Sequence, residues 1–393
     1  MVENTEGLRT GSYMNNSIRF KIIYLFTFAA GGAIGPLLGQ YLESIGFSGT
    51  RIGTVTALGT AMAAVGSTCW GKVFSNAKDG RKVILMLSFM AAVLAVVNSM
   101  VGDFLVFTTL YAVLFFFQGP INGLNDAVVL EEKEEYAGIR LWGAIGYSIS
   151  VFISGRIGEH FGLVNIFYIY ALSYAIGGLM IMTVKTGRAA GGSEHEGKKE
   201  KIRYSNLFKE KKAIQLLICG AFVMGSTLSH NTYFGFLFRD GGGSVAGIGT
   251  VFLLMAGSEA LVMPLAPWLS RKVGQERLIL VAIVLAALRF GWYATGSSYQ
   301  ALIGTFFIQG IVNGILLVEY VKYISRIVNP RLIGIVMSAY YAVCSNGGLI
   351  VVNFVSGITM EYLGSTGVYA LYCGMNVAAA VLFVLFGLHK SER

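Results

Sequence analysis

Phe116-Phe-Gln-Gly-Pro-Ile-Asn-Gly123 and Phe307-Ile-Gln-Gly-Ile-Val-Asn-Gly314 carry one pattern, Gln-Gly-x-x-Asn-Gly, twice, 191 residues apart. A single short match would be chance. Two more pairs fall in the same order. Ile52-Gly-Thr-Val55 recurs as Ile248-Gly-Thr-Val251, 196 residues on, and Ser154-Gly-x-x-x-Glu159-His-Phe-Gly162 recurs as Ser356-Gly-x-x-x-Glu361-Tyr-Leu-Gly364, 202 residues on. The chain is therefore read as two parallel halves. Between them, residues 185–212 contain Ala-Ala-Gly-Gly-Ser-Glu-His-Glu-Gly-Lys-Lys-Glu-Lys, the composition of a flexible charged linker. The expected division is 1–184, linker 185–212, and 213–393.

What surrounds the repeats is apolar. Mean hydropathy is +0.65, with 55% hydrophobic and 13% charged residues, against about 25% charged in soluble domains. Uncharged apolar runs near the roughly 20 residues that cross a bilayer number about twelve, six on each side of the linker. The net charge of +9 is a topology signal. One set of alternate loops, together with the termini and linker, holds 25 of the 30 Lys and Arg, whereas the opposite loops hold Arg51, Arg156 and Arg239. By the positive-inside rule both termini are cytoplasmic, and nucleic acid is excluded as the reason for the charge. The polar first 17 residues lack the pattern of a cleaved signal peptide, so the spans themselves direct insertion.

Cys69, Cys219, Cys344 and Cys373 fall in spans without paired spacing, so neither disulfides nor a metal site are expected. Many of the 51 glycines are spaced for helix contact, as in Gly143-Ala-Ile-Gly146. No strand precedes them and no Gly-Lys-Ser/Thr follows, which argues against nucleotide binding. No cofactor and no catalytic constellation is expected, so the chain reads as a non-enzyme.

A parallel repeat of six plus six helices is the major-facilitator architecture. Tyr136-x-Gly-x-Arg140-Leu-Trp-Gly143-x-Ile-Gly146-Tyr resembles the fifth-helix signature of the branch that includes lactose permease, nucleoside proton symporters and the phenylpropionate transporter-like proteins. Ser229-His-Asn-Thr-Tyr233-Phe, Ser258-Glu259-Ala, Leu288-Arg289-Phe and Lys322-Tyr-Ile-Ser325 extend the resemblance over most of the chain. The expected fold is an all-α membrane protein of twelve transmembrane helices in two six-helix bundles. The chain also departs from the pattern. Asn76 stands near the acidic position of the loop signature after span 2, with one residue extra, and Gln309 and Val312 occupy the places of lactose permease's proton-linked His and coupling Glu.

A charge at the bilayer centre costs at least about 2.5–3.5 kcal/mol on insertion scales, so buried charges need partners or a wet cavity. Arg140 either snorkels to the interface or pairs with Asp126 across a short loop and, as the resemblance implies, contacts substrate. Gln118, Asn122, Asn125 and Asp126 form one polar stripe at i, i+4, i+7 and i+8. Gln309 and Asn313 repeat its first two members. Such amides either tie helices together or line the central cavity, and two related stripes favour the cavity. Tyr147, at i+7 from Arg140, either stacks on substrate or packs, and His230 and Tyr233 share a face of the seventh span. The candidate substrate residues are therefore Gln118, Asn122, Asp126, Arg140, Tyr147, His230, Tyr233, Gln309 and Asn313. For proton coupling the candidates are Glu259, Arg289, Glu319 and Lys322, with Glu259 first because Lys322 at i+3 neutralises Glu319.

The expected function is secondary active transport of a small polar solute, sugar or nucleoside, with protons. The working form is a monomer, multi-pass in the plasma (inner) membrane. The alternative is an exporter of amphipathic compounds, against which the paired Gln/Asn stripes count.

Overall fold

The computed structural model describes residues 15–132, 134, 136–184, 210–328 and 332–390. The linker assigned to 185–212 lies outside the described residues except for its last three, where Lys211 and Lys212 already open a helix.

Prolines set the breaks in the helical rods. α1 (Asn16–Ile34), α5 (Phe104–Gln118) and α10 (Val245–Val262) each stop two residues before Pro36, Pro120 or Pro264, and α2 (Leu38–Ser44), α6 (Ile121–Glu131) and α11 (Ala266–Val273) continue beyond. A proline offers no N–H and its ring crowds the preceding turn, so the rod bends there. The other helices of the first half are α3 (Gly49–Ser75), α4 (Gly80–Asn98), α7 (Tyr136–Phe161) and α8 (Asn165–Ile181).

In the second half, α9 (Lys211–Asp240), α12 (Gln275–Tyr293), α13 (Tyr299–Gly304) and α14 (Phe306–Ile315) precede a π-helical turn at Leu316–Tyr320. α15 (Val321–Ile327) and α16 (Ile333–Tyr340) follow, then a second π-helical turn at Tyr341–Gly347 and α17 (Gly348–Leu385). α17 doubles back at Gly364, whose φ of 68° is open to glycine but strained for other residues.

Among the described residues, eight helical stretches are long and apolar enough to cross a membrane. Asn165–Ile181 is apolar but shorter, and α7 and α12 carry Arg140, Arg156, Glu159, Glu276, Arg277 and Arg289 in their length.

Small residues let these rods touch backbone to backbone. A Cβ on Gly146 would lie 2.0 Å from the Leu25 carbonyl oxygen, which fixes α7 on α1. The first glycine of each opening repeat marks one and the same crossing. A Cβ on Gly119 would meet the Ala63 carbonyl oxygen at 2.5 Å, and one on Gly310 would meet Ser258 Oγ at 2.1 Å and Glu259 N at 2.7 Å. Thus α5 crosses α3 as α14 crosses α10.

The two halves meet along α3 against α17 and α7 against α10. Both seams are glycine on glycine. A Cβ on Gly53 would lie 2.9 Å from Gly357 Cα, and one on Gly155 would lie 3.3 Å from Gly249 Cα. Inter-half hydrogen bonds gather at the end of the molecule that carries the 45–48, 162–164 and 241–244 turns. There the Thr50 N–H donates to Glu361 Oε2 (2.9 Å) and the Ala246 N–H to Glu159 Oε2 (2.6 Å). Arg239 Nη1 donates to Gln40 Oε1 and Glu43 Oε2, each at 2.9 Å.

At the opposite end, Asp79 caps α4 and pairs with Arg81 (2.9 Å), whose Nη1 reaches the Val184 carbonyl. The Arg81 hydrogen bonds hold the Asp79 carboxyl below the usual carboxylate range, against the opposing push of partial burial. Asn76 ends α3 by donating to the Lys72 carbonyl (3.0 Å).

Candidate functional site

Arg140 and Asp126 come close to each other, but not as the expected ion pair. The Asp126 carboxylate accepts a hydrogen bond from the Tyr24 hydroxyl of α1. The Arg140 guanidinium lies instead over the Phe28 ring, 4.3 Å from its centroid, one turn along α1 from Tyr24. Such a stack holds the plane of the guanidinium while leaving its edge donors free, at a gain of about 0.5–1 kcal/mol for an exposed side chain. The physical reason for the correction is reach. Gly143 and Gly146 let α7 lie directly on α1, since a Cβ on Gly143 would meet the Phe28 ring at 2.8 Å, so Arg140 meets α1 first. Tyr136 completes the group, within interaction range of Asp126, Arg140 and Tyr341 of the other half.

Tyr147 lies two turns further along α7, beside Gly31 and Gly35 of α1, and interacts electrostatically with Glu259 across the boundary between halves. Glu259 Oε2 accepts from Asn313 Nδ2 at 3.0 Å. A carboxylate and an amide thus meet near the boundary of the halves, with the Tyr147 phenol within electrostatic range. Gln309, one turn before Asn313, is buried with its Oε1 unpartnered among the described residues, and the same holds for the Asn313 and Asn122 side-chain oxygens. Gln118 is different. Its Nε2 donates to Tyr174 OH at 3.0 Å, a tie from α5 to α8 within its own half.

His230 and Tyr233 are fully buried inside the second half. His230 Nδ1 lies 2.7 Å from Tyr369 OH, among Phe234, Phe252, Phe290 and Tyr293, and Tyr233 OH donates to the Asn353 carbonyl at 2.9 Å. In this conformation both hold α9 to its neighbours and stand apart from the convergence at Glu259. Arg289 joins the His230 side, stacked 4.4 Å over Phe290, with no hydrogen-bond partner on its nitrogens among the described residues. Glu319 and Lys322 are separate again. Six residues past Asn313 is about 9 Å of helix rise, and there Glu319 accepts from Gln275 (3.0 Å) and Lys322 (3.3 Å) beside a cavity of about 520 Å³ that also borders Ser270, Arg271 and Arg326. The four coupling candidates therefore occupy three places.

Sequence reasoning missed Tyr24 and Phe28 as partners of Asp126 and Arg140. It also missed the network in which Tyr372 OH donates to Ser229 Oγ (2.7 Å) and Ser229 Oγ to Asn353 Oδ1 (2.6 Å). A tyrosine in an apolar run has no periodic mark that separates a hydroxyl partner from core.

Two broken-helix halves, glycine crossings repeated between them and polar groups convergent at their boundary are the setting in which comparison with known proteins becomes informative. The profile of the MFS_1 like family matches residues 17–371. The chain belongs to that family. Among relatives of this MFS_1 like chain, the maltose permease of Geobacillus stearothermophilus is 28% identical over 379 residues, covering 95% of each chain. The sucrose permease of Escherichia coli is 22% identical, over 97% of this chain and 95% of its own. In fold the chain is similar to the nucleoside transporter NupG, with a TM-score of 0.84, 19% identity, and coverage of 96% of this chain and 100% of that one. This MFS_1 like protein is a multi-pass membrane transporter with the major-facilitator fold.

Proposed function

We propose that this transporter takes up a small polar solute of the sugar or nucleoside class together with protons, by alternating access. The observation that carries the reading is the hydrogen bond from Asn313 to Glu259, beside the unpartnered side-chain oxygens of Gln309 and Asn313, on α10 and α14 where α10 packs against α7 of the other half. A phenol can stack on a sugar or base, an amide can bond its hydroxyls, and a carboxylate held between two mobile halves can exchange a proton. The maltose and sucrose permeases among its relatives support sugars as the first class to test.

The reading includes twelve spans in bundles 1–184 and 213–393, with both termini and the linker cytoplasmic, as the distribution of Lys and Arg supports. The glycine seams then close the outer side, and the site is reached from the cytoplasm, where Arg140 is exposed. Arg140 presents a planar donor fork to the solute, Asp126 beside it accepts hydrogen bonds, and Glu259 carries the proton.

The test is uptake by proteoliposomes of labelled maltose, sucrose and nucleosides, with and without a pH gradient. The Glu259→Gln variant is expected to exchange substrate across equal concentrations but to lose accumulation driven by protons. Accumulation by Glu259→Gln equal to that of the unmodified protein would remove Glu259 from the mechanism, and wild-type uptake indifferent to the gradient would remove proton coupling.

A further inference from the structure

The repeats Ile52-Gly-Thr-Val55/Ile248-Gly-Thr-Val251 and Ser154…Gly162/Ser356…Gly364 have one structural result that the transport site does not use. Each places a glutamate of one half on the first turn of a helix in the other half. Thr50 and Ala246 hold the same position, two residues past Ser48 and Ser244, which precede α3 and α10. The first N–H groups of a helix have no partner in the helix itself. Here Glu361 receives the Thr50 N–H and Glu159 the Ala246 N–H, and each carboxylate also engages the capping serine of that helix, Ser48 or Ser244. Both contacts are exposed, so water replaces them when the halves part.

We propose that Glu159 and Glu361 are a matched pair of latches that hold the outer end of the transporter shut, each by capping a helix of the opposite half. The latches are strong enough to bias closure and weak enough to be released, because a helix N-terminus favours a carboxylate only modestly in water. Their purpose rests on the transport reading; the closure itself does not.

Both glutamates lie three residues before a turn glycine of positive φ, Gly162 or Gly364, and their contacts are exposed. Their hydrogen bonds to the opposing helix lower both carboxyls below the usual range, with Arg156 and His160 near Glu159 and Arg51 near Glu361 acting in the same direction. A group whose pKa is depressed in the closed state favours closure fully above its ordinary value, about 4.3 for Glu, and loses that effect as pH falls through the depressed value. The latches are therefore engaged at neutral pH and released in acid.

The test is a distance measurement by double electron–electron resonance on the full chain without substrate. Spin labels go at Gly102→Cys, where a side chain meets nothing within 4 Å, and Gln300→Cys, which is exposed, with Cys69→Ser in the background. At pH 7.5 the parent is expected to give mainly one short distance. Glu159→Ala/Glu361→Ala adds a longer population several-fold above the parent's, Glu159→Gln/Glu361→Gln adds a smaller one, and each single variant falls between parent and its double. Lowering the parent to pH 4 lengthens its distribution, while the double Ala variant responds less. A double Ala variant that elutes and melts like the parent and keeps its distance distribution overturns the proposal. Because no solute is added, failure of the transport assay and failure of the latch are read separately.

Discussion

The seam and the site use symmetry in opposite ways. At the seam, each contact made by one half is returned by the other: Gly53 on Gly357 and Gly249 on Gly155, Glu361 on Thr50 and Glu159 on Ala246. At the site the correspondence ends. Counting back 196 residues from Glu259 reaches Ala63, and counting on 191 from Asp126 reaches Leu317. Ala63 and Glu259 occupy one and the same helix crossing, under Gly119 and Gly310. The fold thus offers two equivalent places and puts a carboxylate in only one. Moving parts must match if the halves are to rock about a shared boundary, whereas a solute with unlike ends is bound by unlike groups.

The largest effect should come from breaking the seam on both sides. A Cβ on Gly53 would stand 2.6 Å from the Asn353 carbonyl oxygen, and one on Gly249 2.6 Å from that of Val151. Overpacking costs about 1–3 kcal/mol per site, so Gly53→Leu/Gly249→Leu is expected to reduce initial uptake roughly 100-fold, since 1.4 kcal/mol is about tenfold. The two single variants should lose comparable amounts; if one alone accounts for the whole loss, the seams are not equivalent. Next comes Arg140→Lys, which keeps the charge but loses the flat stack over Phe28 and the paired donors. Solute affinity, measured by scintillation proximity, should fall about tenfold. Near-normal binding would return Arg140 to an interfacial role and leave the first half without a cationic ligand. The smallest effect is expected for Tyr174→Phe. It removes the Gln118 tie at a cost of about 0.6 kcal/mol, visible as a small drop in melting temperature with solute affinity unchanged. A drop in affinity instead would put Gln118 among the site residues and restore some symmetry to the site.

These contrasts also explain what could be read from the letters alone. The repeat was legible because three motifs recur in order, whereas the breaks near Pro36, Pro120 and Pro264 were not foreseen, since each apolar run continues in sequence across its proline. The pairing of Glu319 with Lys322 was legible because i and i+3 share a helix face. The Asp126–Arg140 pair failed because proximity in sequence says nothing of a third helix. Tyr24 and Phe28 of α1 intervene, and only the packing of Gly146 on Leu25 determines that they do. His230 and Tyr233 shared a helical face as expected, but periodicity cannot tell the face that looks between halves from the one that looks into a bundle.

The reciprocity of the glycine seam has the form of an isologous interface, in which residue i of one partner meets j of the other and j meets i. Seen this way, residues 185–209 join in one chain what is otherwise the arrangement of a two-fold dimer. Each half carries both the knob and the socket, so the surface that mates them is self-complementary. A half expressed alone would present that surface to a second copy of itself, where one substitution at the seam would be met twice, whereas in the single chain it is met once.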